Sequence, residues 1–276
     1  MAANPDRIGS VVSLWRYPVK SMIGEELDAT EVSEQGLVGD RAYALIDTSD
    51  GKTATAKNPR KWPNLFDFRA TLDGVPSLGE RLPSVKITLP DGTILESNQP
   101  NVNLILSQAV KRPVQLRCAS VSPEAGIAEE YIPDLDDGNR NNRVSEFKLQ
   151  SGTFFDSAVV HLLTAETIGK LLSVYPEGRF EVRRFRPNIV IKTLSGMNDW
   201  VENSWVGRIL AIGSSVRLYV TNPCGRCVMT TLAQGDLPAD LGILRAAVRH
   251  NRSHVGVYAS VLQTGRLQRG DSVRLE

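Results

Sequence analysis

Cysteine is scarce in this chain: there are three in 276 residues, an odd number. A disulfide framework belongs to small secreted domains with paired cysteines, so a reducing compartment is the default reading. An excess of one charge is also missing. Lys plus Arg number 32 against 31 for Asp plus Glu, so net charge makes no case for nucleic acid or a membrane surface as partner. No apolar run approaches the roughly 20 residues that span a bilayer. The N-terminus, MAANPDRIGSVVSLW, lacks the charged region and long apolar region of a secretory signal. A cytoplasmic protein is expected. No Gly-x-Gly-x-x-Gly follows a β-like run, which argues against a dinucleotide fold for flavin or nicotinamide. A plant-type iron–sulfur cluster needs four cysteines at characteristic spacing, more than the chain holds. Internal repeats and long low-complexity segments are absent as well.

What the chain does have is ordinary soluble composition, 41% hydrophobic and 23% charged, at a length that suits one large domain or two smaller ones. Short β-like runs dominate, at 7–17, 42–47, 85–89, 93–97, 159–163, 188–192, 209–212, 215–220 and 255–261. Asp50-Gly51 and Asp91-Gly92 lie between such runs, and Asp-Gly is a strong hairpin signal. The C-terminal GRLQRGDSVRLE reads as a turn and a closing strand. Helices are fewer. Thr164 can cap one from 165 to about 174, with Glu166 near its N-terminus and Pro176 ending it. A second is expected from about 239 to 250 and a third over 102–110. The balance predicts a mainly β, barrel-type fold with a few helices. The stretch 122–143 reads as a long excursion or linker. A boundary near 120 divides the chain into a β-barrel-like unit, 1–120, and a unit carrying two of the cysteines, 121–276.

Those two cysteines lie in TNPCGRCVMTT (221–231), as Cys224 and Cys227. Zinc would need four N or S ligands, and beyond this pair only Cys118 and three scattered histidines remain. A thioredoxin-like dithiol sits where a strand meets a helix, whereas here β-favouring residues follow. That leaves one working thiolate in an electropositive loop, with Arg226 expected to lower the pKa of Cys227 and to bind an anion. Further polar residues sit at the mouths of β-like runs. YPVKS (17–21) carries Lys20 and Ser21, and GDRAYALI (39–46) carries Arg41. FFDS (154–157) carries Asp156 and Ser157, while RFRPNIVI (184–191) carries Arg184, Arg186 and Asn188. Basic residues cluster in KNPRK (57–61) and RRFR (183–186). Taken singly, each segment reads as a surface turn.

Taken in order, YPVKS, GDRAYALI, FFDS, RFRPNIVI and CGRC resemble the MOSC proteins, named for the C-terminal domain of molybdenum cofactor sulfurase. The resemblance covers about residues 8–275, and it includes the family's N-terminal β-barrel domain. Among its members the chain looks like the mitochondrial amidoxime-reducing component and its bacterial counterparts, which reduce N-hydroxylated compounds. The resemblance implies a molybdenum cofactor, Mo-molybdopterin, with Cys227 as the protein's sulfur ligand to the metal. It implies that Lys20, Ser21, Arg41, Ser157, Arg186, Asn188 and Arg226 hold the cofactor's phosphate and pterin. Asp156 belongs to the same set, although it stands where relatives often have threonine. Gly225 stands where they have serine. The residue types suit the chemistry: a soft thiolate for molybdenum, fork-shaped Arg donors for a phosphate ester, an amide for pterin edges.

The expected function is therefore a molybdenum-dependent oxidoreductase acting on small N-oxygenated substrates. Its alternatives are a non-catalytic carrier of the cofactor and a sulfur carrier using a Cys227 persulfide. An aminotransferase-like domain ahead of residue 1 is not expected, nor is a ferredoxin-like domain after Glu276. Electrons are accordingly expected from a separate ferredoxin- or flavin-type reductase. Residues 232–251 form a helix-bearing insertion relative to the reductases of the family.

Overall fold

The computed structural model describes residues 7–121, 126–133, 143–194, 196 and 199–276. Seven strands close a β-barrel: β1 (Arg7–Arg16), β2 (Val160–Thr164), β3 (Ile189–Thr193), β4 (Ile209–Ile212), β5 (Val216–Gly225), β6 (His254–Gln263) and β7 (Ser272–Leu275). Around the barrel they run β1–β3–β2–β6–β5–β4–β7, and β7 returns to β1. Closure leaves no open edge among them. Only β2 and β3 pair in parallel, which requires a crossover connection. Four α-helices are described, α1 (Val102–Val110), α2 (Ala165–Val174), α3 (Val182–Phe185) and α4 (Leu241–Asn251), and α2 and α3 form that crossover. Thr164 caps α2 as its sequence suggests, its Oγ1 accepting from Thr167 N at 3.1 Å. Among the described residues no helix is long and apolar enough to cross a membrane.

Alternation along each strand sends one row of side chains inward. Val11, Leu14, Leu162, Ile189, Ile191, Leu210, Leu218, Val257 and Val273 fill the barrel. Every residue of β2 is buried, as expected for a strand covered on both faces. The N-terminal half has its own core, where α1 supplies Val102, Leu106 and Val110 beneath Leu45, Phe68 and Ile87. There Tyr43–Asp47 pairs with Val114–Cys118, and Val85–Thr88 pairs with Ile94–Glu96 across the Asp91-Gly92 turn. Yet β1, from the start of the chain, lies in the barrel that residues beyond 160 otherwise build. The halves are interlocked, and a division near 120 stands as our proposal for the remaining residues.

Three local expectations change. The stretch 122–143 is no simple linker, because Ile127–Ile132 pairs antiparallel with Arg143–Lys148; residues 122–125 and 134–142 lie outside the described residues. The closing segment makes two strands, Gly265–Gln268 against Ala29–Ser33 and then β7. β5 continues past 220 through Pro223 and Gly225, paired to β6 across three register shifts. Such irregularities re-aim side chains at strand ends, and this one carries Cys224 into the barrel wall.

Candidate functional site

A cavity of about 440 Å³ lies where β1 ends, β2 and β3 begin and β5 runs into the cysteine loop. Its wall includes all nine residues singled out from the sequence: Lys20, Ser21, Arg41, Asp156, Ser157, Arg186, Asn188, Arg226 and Cys227. The turn after β1 brings Lys20 and Ser21. Arg41 comes from the loop before Tyr43, Asp156 and Ser157 from the approach to β2, and Arg186 and Asn188 from the link between α3 and β3. Three of these residues, Ser21, Arg41 and Arg186, have left-handed φ of 62°, 48° and 51°. That conformation costs a non-glycine residue about 1–3 kcal/mol and gathers at functional sites. Arg186 is the C-cap of α3, as Lys111 and Arg252 are of α1 and α4, so Ser21 and Arg41 are the wall residues whose left-handed backbone no helix end accounts for.

The wall is electropositive. Lys20, Arg41, Lys57, Arg186 and Arg226 face it against Asp156 and Glu130. Lys20 donates to the Phe154 carbonyl at 2.8 Å and pairs with Asp156; Lys57 reaches the same carboxylate at 3.2 Å. Burial works against ionising Asp156, but Lys20 and Lys57 together hold its pKa below the usual carboxylate range. Arg41 and Arg186 share one buried ring, lying 4.5 and 4.1 Å from the Tyr17 centroid. Arg186 also donates to the Met22 carbonyl at 2.6 Å, and Arg41 to the Arg186 carbonyl at 3.3 Å. Burial, then the nearby Arg41 charge, push the Arg186 pKa down to about 9. Two guanidiniums so placed are poised for a shared anion. Asn188 is locked in orientation: its Nδ2 donates to Asp40 at 2.7 Å and its Oδ1 accepts from His161 N at 3.0 Å.

The cysteine loop corrects one expectation. Arg226 turns to Cys224 and not to Cys227: Nη1 is 2.8 Å from the Cys224 Sγ, and Nη2 donates to the Phe185 carbonyl at 2.9 Å. Burial raises the Cys224 pKa, but Arg226 and His161 outweigh it and draw the thiol below its ordinary value. For Cys227 burial wins over Lys57 and the weaker pull of Arg226, and its thiol is pushed up. Cys224 is fully buried, whereas Cys227 is half-buried and lines the cavity. Arg226 Nε is buried with no partner among the described residues, a donor left over for something that enters the cavity. A side chain at Gly225 would meet nothing within 4 Å, so serine would fit there as well. Gly256 is different. Its φ is +82°, and a Cβ would come within 2.3 Å of His161 Nε2, so only glycine lets the imidazole pack.

Several wall residues escaped the sequence reading. Lys57 lay in the KNPRK cluster, but nothing local separated it from Lys61, which instead pairs with Asp47, Asp50 and Glu129. Asp40, the buried anchor for Arg41 and Asn188, was visible only as a neighbour in GDRAY. His161 is buried and bonded, Nε2 to the Val255 carbonyl at 3.0 Å, and it also faces the cavity with Tyr258 and Glu130. The cluster RRFR splits three ways. Arg183 pairs with Glu181 and Asp236 at the surface, and Arg186 enters the wall. Arg184 is wholly buried, donating to the Thr230, Leu232 and Pro238 carbonyls, and so clamps the segment that follows Cys227.

Comparison with known proteins agrees with this architecture. Residues 8–133 match the MOSC N-terminal beta barrel domain, and residues 150–274 match the MOSC domain. The mitochondrial amidoxime reducing component 2 of Bos taurus is 25% identical over 305 residues, covering 97% of this chain and 83% of its own. The mitochondrial amidoxime-reducing component 1 of Homo sapiens is 25% identical over 241 residues, covering 82% and 67%. The crystal structure of the YUAD protein from Bacillus subtilis aligns over 97% of this chain and 95% of its own, at 13% identity and a TM-score of 0.49.

Proposed function

Because the chain belongs to the MOSC family, with that family's N-terminal barrel domain ahead of the MOSC domain, we infer that it is a molybdenum-cofactor oxidoreductase acting on small N-oxygenated compounds. The observation that carries the reading is the cavity wall. Five separated segments bring three guanidiniums, a buried amide and a half-buried thiol to one place. The fit to the cofactor is good on three counts. The cationic excess suits a phosphate ester, the partnerless Arg226 Nε suits an added acceptor, and the thiol is a soft donor.

In this reading Arg41 and Arg186 hold the phosphate, while Ser21, Ser157 and Arg226 add donors around the pterin. Asn188, fixed by Asp40 and His161, reads a pterin edge. Lys20, drawn onto Asp156, keeps the wall in register. Cys227 supplies the protein's sulfur to molybdenum. A ligating thiol must lose its proton, and the Lys57 ammonium beside it favours the anion. When bound, the cofactor supplies a two-electron couple and an open coordination position. The overall reaction breaks the N–O bond: two electrons from a separate carrier and two protons release the oxygen as water.

The test is molybdenum and pterin content of protein made in cells that synthesise the cofactor, together with turnover of an amidoxime by reduced viologen. Bound metal with viologen-driven turnover is expected, both lost in Cys227→Ser. Absence of molybdenum, or a Cys227→Ser variant that keeps metal and rate, overturns the reading. Metal without turnover would make the protein a carrier.

A further inference from the structure

The helix α4 has an outer face that the site leaves unused. Its inner residues Ile243, Ala246 and Ala247 are buried against Leu163, Leu171 and Phe185, and Leu244 is buried as well. The opposite stripe, at spacing four, three and four, is Leu241, Arg245, Val248 and Arg252, with Arg249 beside it. All five are exposed, Leu241 at 46% and Val248 at 40%. Nearby Arg179 and Arg183 are neutralised by Glu181 and Asp236. Arg245, Arg249 and Arg252 have no acidic partner among the described residues. The helix dipole accounts for Arg249 and His250 in the last turn, but not for Arg245 in the middle. Like charges four apart, as at Arg245 and Arg249, destabilise a helix. A concavity of about 400 Å³, whose lining sets Arg245, Arg249 and His250 against the single carboxylate Asp240, opens beside the stripe.

The position of α4 relates this face to the cavity. The helix packs on Val228–Thr231, the turn directly after Cys227, and the Asp240 N–H donates to the Thr231 carbonyl at 2.8 Å. The helix that bears this face is thus in direct contact with the turn that follows the thiol. No residue of α4 lines the cavity itself, so a protein bound here leaves the substrate mouth open. A basic stripe with two exposed aliphatic side chains complements a surface that is acidic with an apolar centre.

We propose that the outer face of α4 docks the acidic surface of the electron-transfer protein that serves this site, which rests on the reductase reading above. Two carriers dock in succession, each giving up one electron and leaving oxidised, and the two electrons with two protons release the substrate's oxygen as water.

The test is direct binding, which needs no cofactor. Two acidic carriers, a plant-type ferredoxin and a flavodoxin, are titrated calorimetrically at low and high salt. Wild-type protein should bind at least one with salt-sensitive affinity. Arg245→Glu with Arg249→Glu should weaken that binding by about tenfold or more at low salt, and Arg245→Gln with Arg249→Gln by less. Arg117→Glu with Arg266→Glu, the same charge change elsewhere on the surface, should leave it intact. Viologen-driven turnover should be unchanged in all of them, while carrier-driven turnover falls with binding. Melting curves establish that each variant is folded. The proposal is overturned if neither carrier binds, if the control pair weakens binding equally, or if the α4 variants bind as wild type does. It is overturned too if sedimentation shows a dimer that the α4 variants dissolve, since the face would then join two copies of this chain. Absent viologen turnover with intact carrier binding would count against the reductase reading and leave the docking face standing.

Discussion

Arg186→Met should make the cofactor-free protein more stable and the cofactor-binding protein useless. Arg186 is only 7% exposed and lies beside Arg41 on the same Tyr17 ring. Its pKa falls from the ordinary guanidinium value to about 9, which corresponds to roughly 5 kcal/mol disfavouring the buried cation. Methionine keeps much of the apolar stem and removes the charge. Against that gain stand the lost donation to the Met22 carbonyl, about 1–3 kcal/mol for an orphaned acceptor, and the lost cation–ring contact, about 1–2 kcal/mol. The balance favours the variant by on the order of 1–2 kcal/mol, a rise of a few degrees in Tm for a chain of this size. The sign with pH follows from linkage. From about pH 9 up to the ordinary guanidinium value, the unfolded state binds more protons than the folded state, so wild-type stability recovers with rising pH. The advantage of the variant is therefore full below about pH 9 and shrinks above it. The assay is thermal unfolding by circular dichroism on cofactor-free protein at neutral pH and near pH 10, with pterin retention after gel filtration measured alongside. A variant destabilised by more than about 1 kcal/mol, or one that keeps the cofactor as wild type does, would refute the reasoning. The trade of stability for a poised anion site is a common one.

Three further outcomes are expected. Arg226→Gln should raise the pH at which Cys224 ionises, since Arg226 is the main charge holding its thiolate; thiolate ultraviolet absorbance in a Cys227→Ser background reads this, and an unmoved titration would count against it. Burial keeps the Glu202 carboxyl above its usual pKa, although the Thr164 and Thr167 hydroxyls donate to it at 2.6 and 2.7 Å. Its contribution is thus fully present below the unfolded pKa and is lost as pH rises through the folded one, so Glu202→Gln should flatten the fall in urea midpoint as pH rises above the ordinary carboxylate range; an unchanged slope would show that Glu202 is not the titrating group. Asp47 is fully buried and opposed by desolvation, but Ser49, Arg112 at 2.9 Å and Lys61 at 3.3 Å hold its pKa at about 2. Asp47→Asn should cost roughly 2 kcal/mol above about pH 4, an advantage wild type loses as pH falls through about 2; equal acid midpoints for the two proteins would contradict it.

Much of the local structure was legible without coordinates. The strand at 7–17, the Asp91-Gly92 hairpin, the Thr164 cap and the helix over 102–110 all rest on signals among residues a few positions apart, which local sterics and hydrogen bonding decide. The composition of the cavity wall was legible too, because polar residues at strand mouths and the order of five motifs point to one place. Tertiary structure alone decided how those residues are used. Lys20 meets Asp156 across 136 positions and Arg41 meets Arg186 across 145, and no local pattern encodes such pairings. Lys57 and Lys61 look alike in KNPRK, yet the fold sends one to the cavity and the other to Asp47. Arg226 adjoins Cys227 in sequence but reaches Cys224, because the irregular end of β5 turns that thiol toward the guanidinium. Even the barrel closes only when β1 joins strands encoded more than 150 residues later. A guanidinium has one charge and many possible partners, and which one it finds depends on which strands closure has packed beside it.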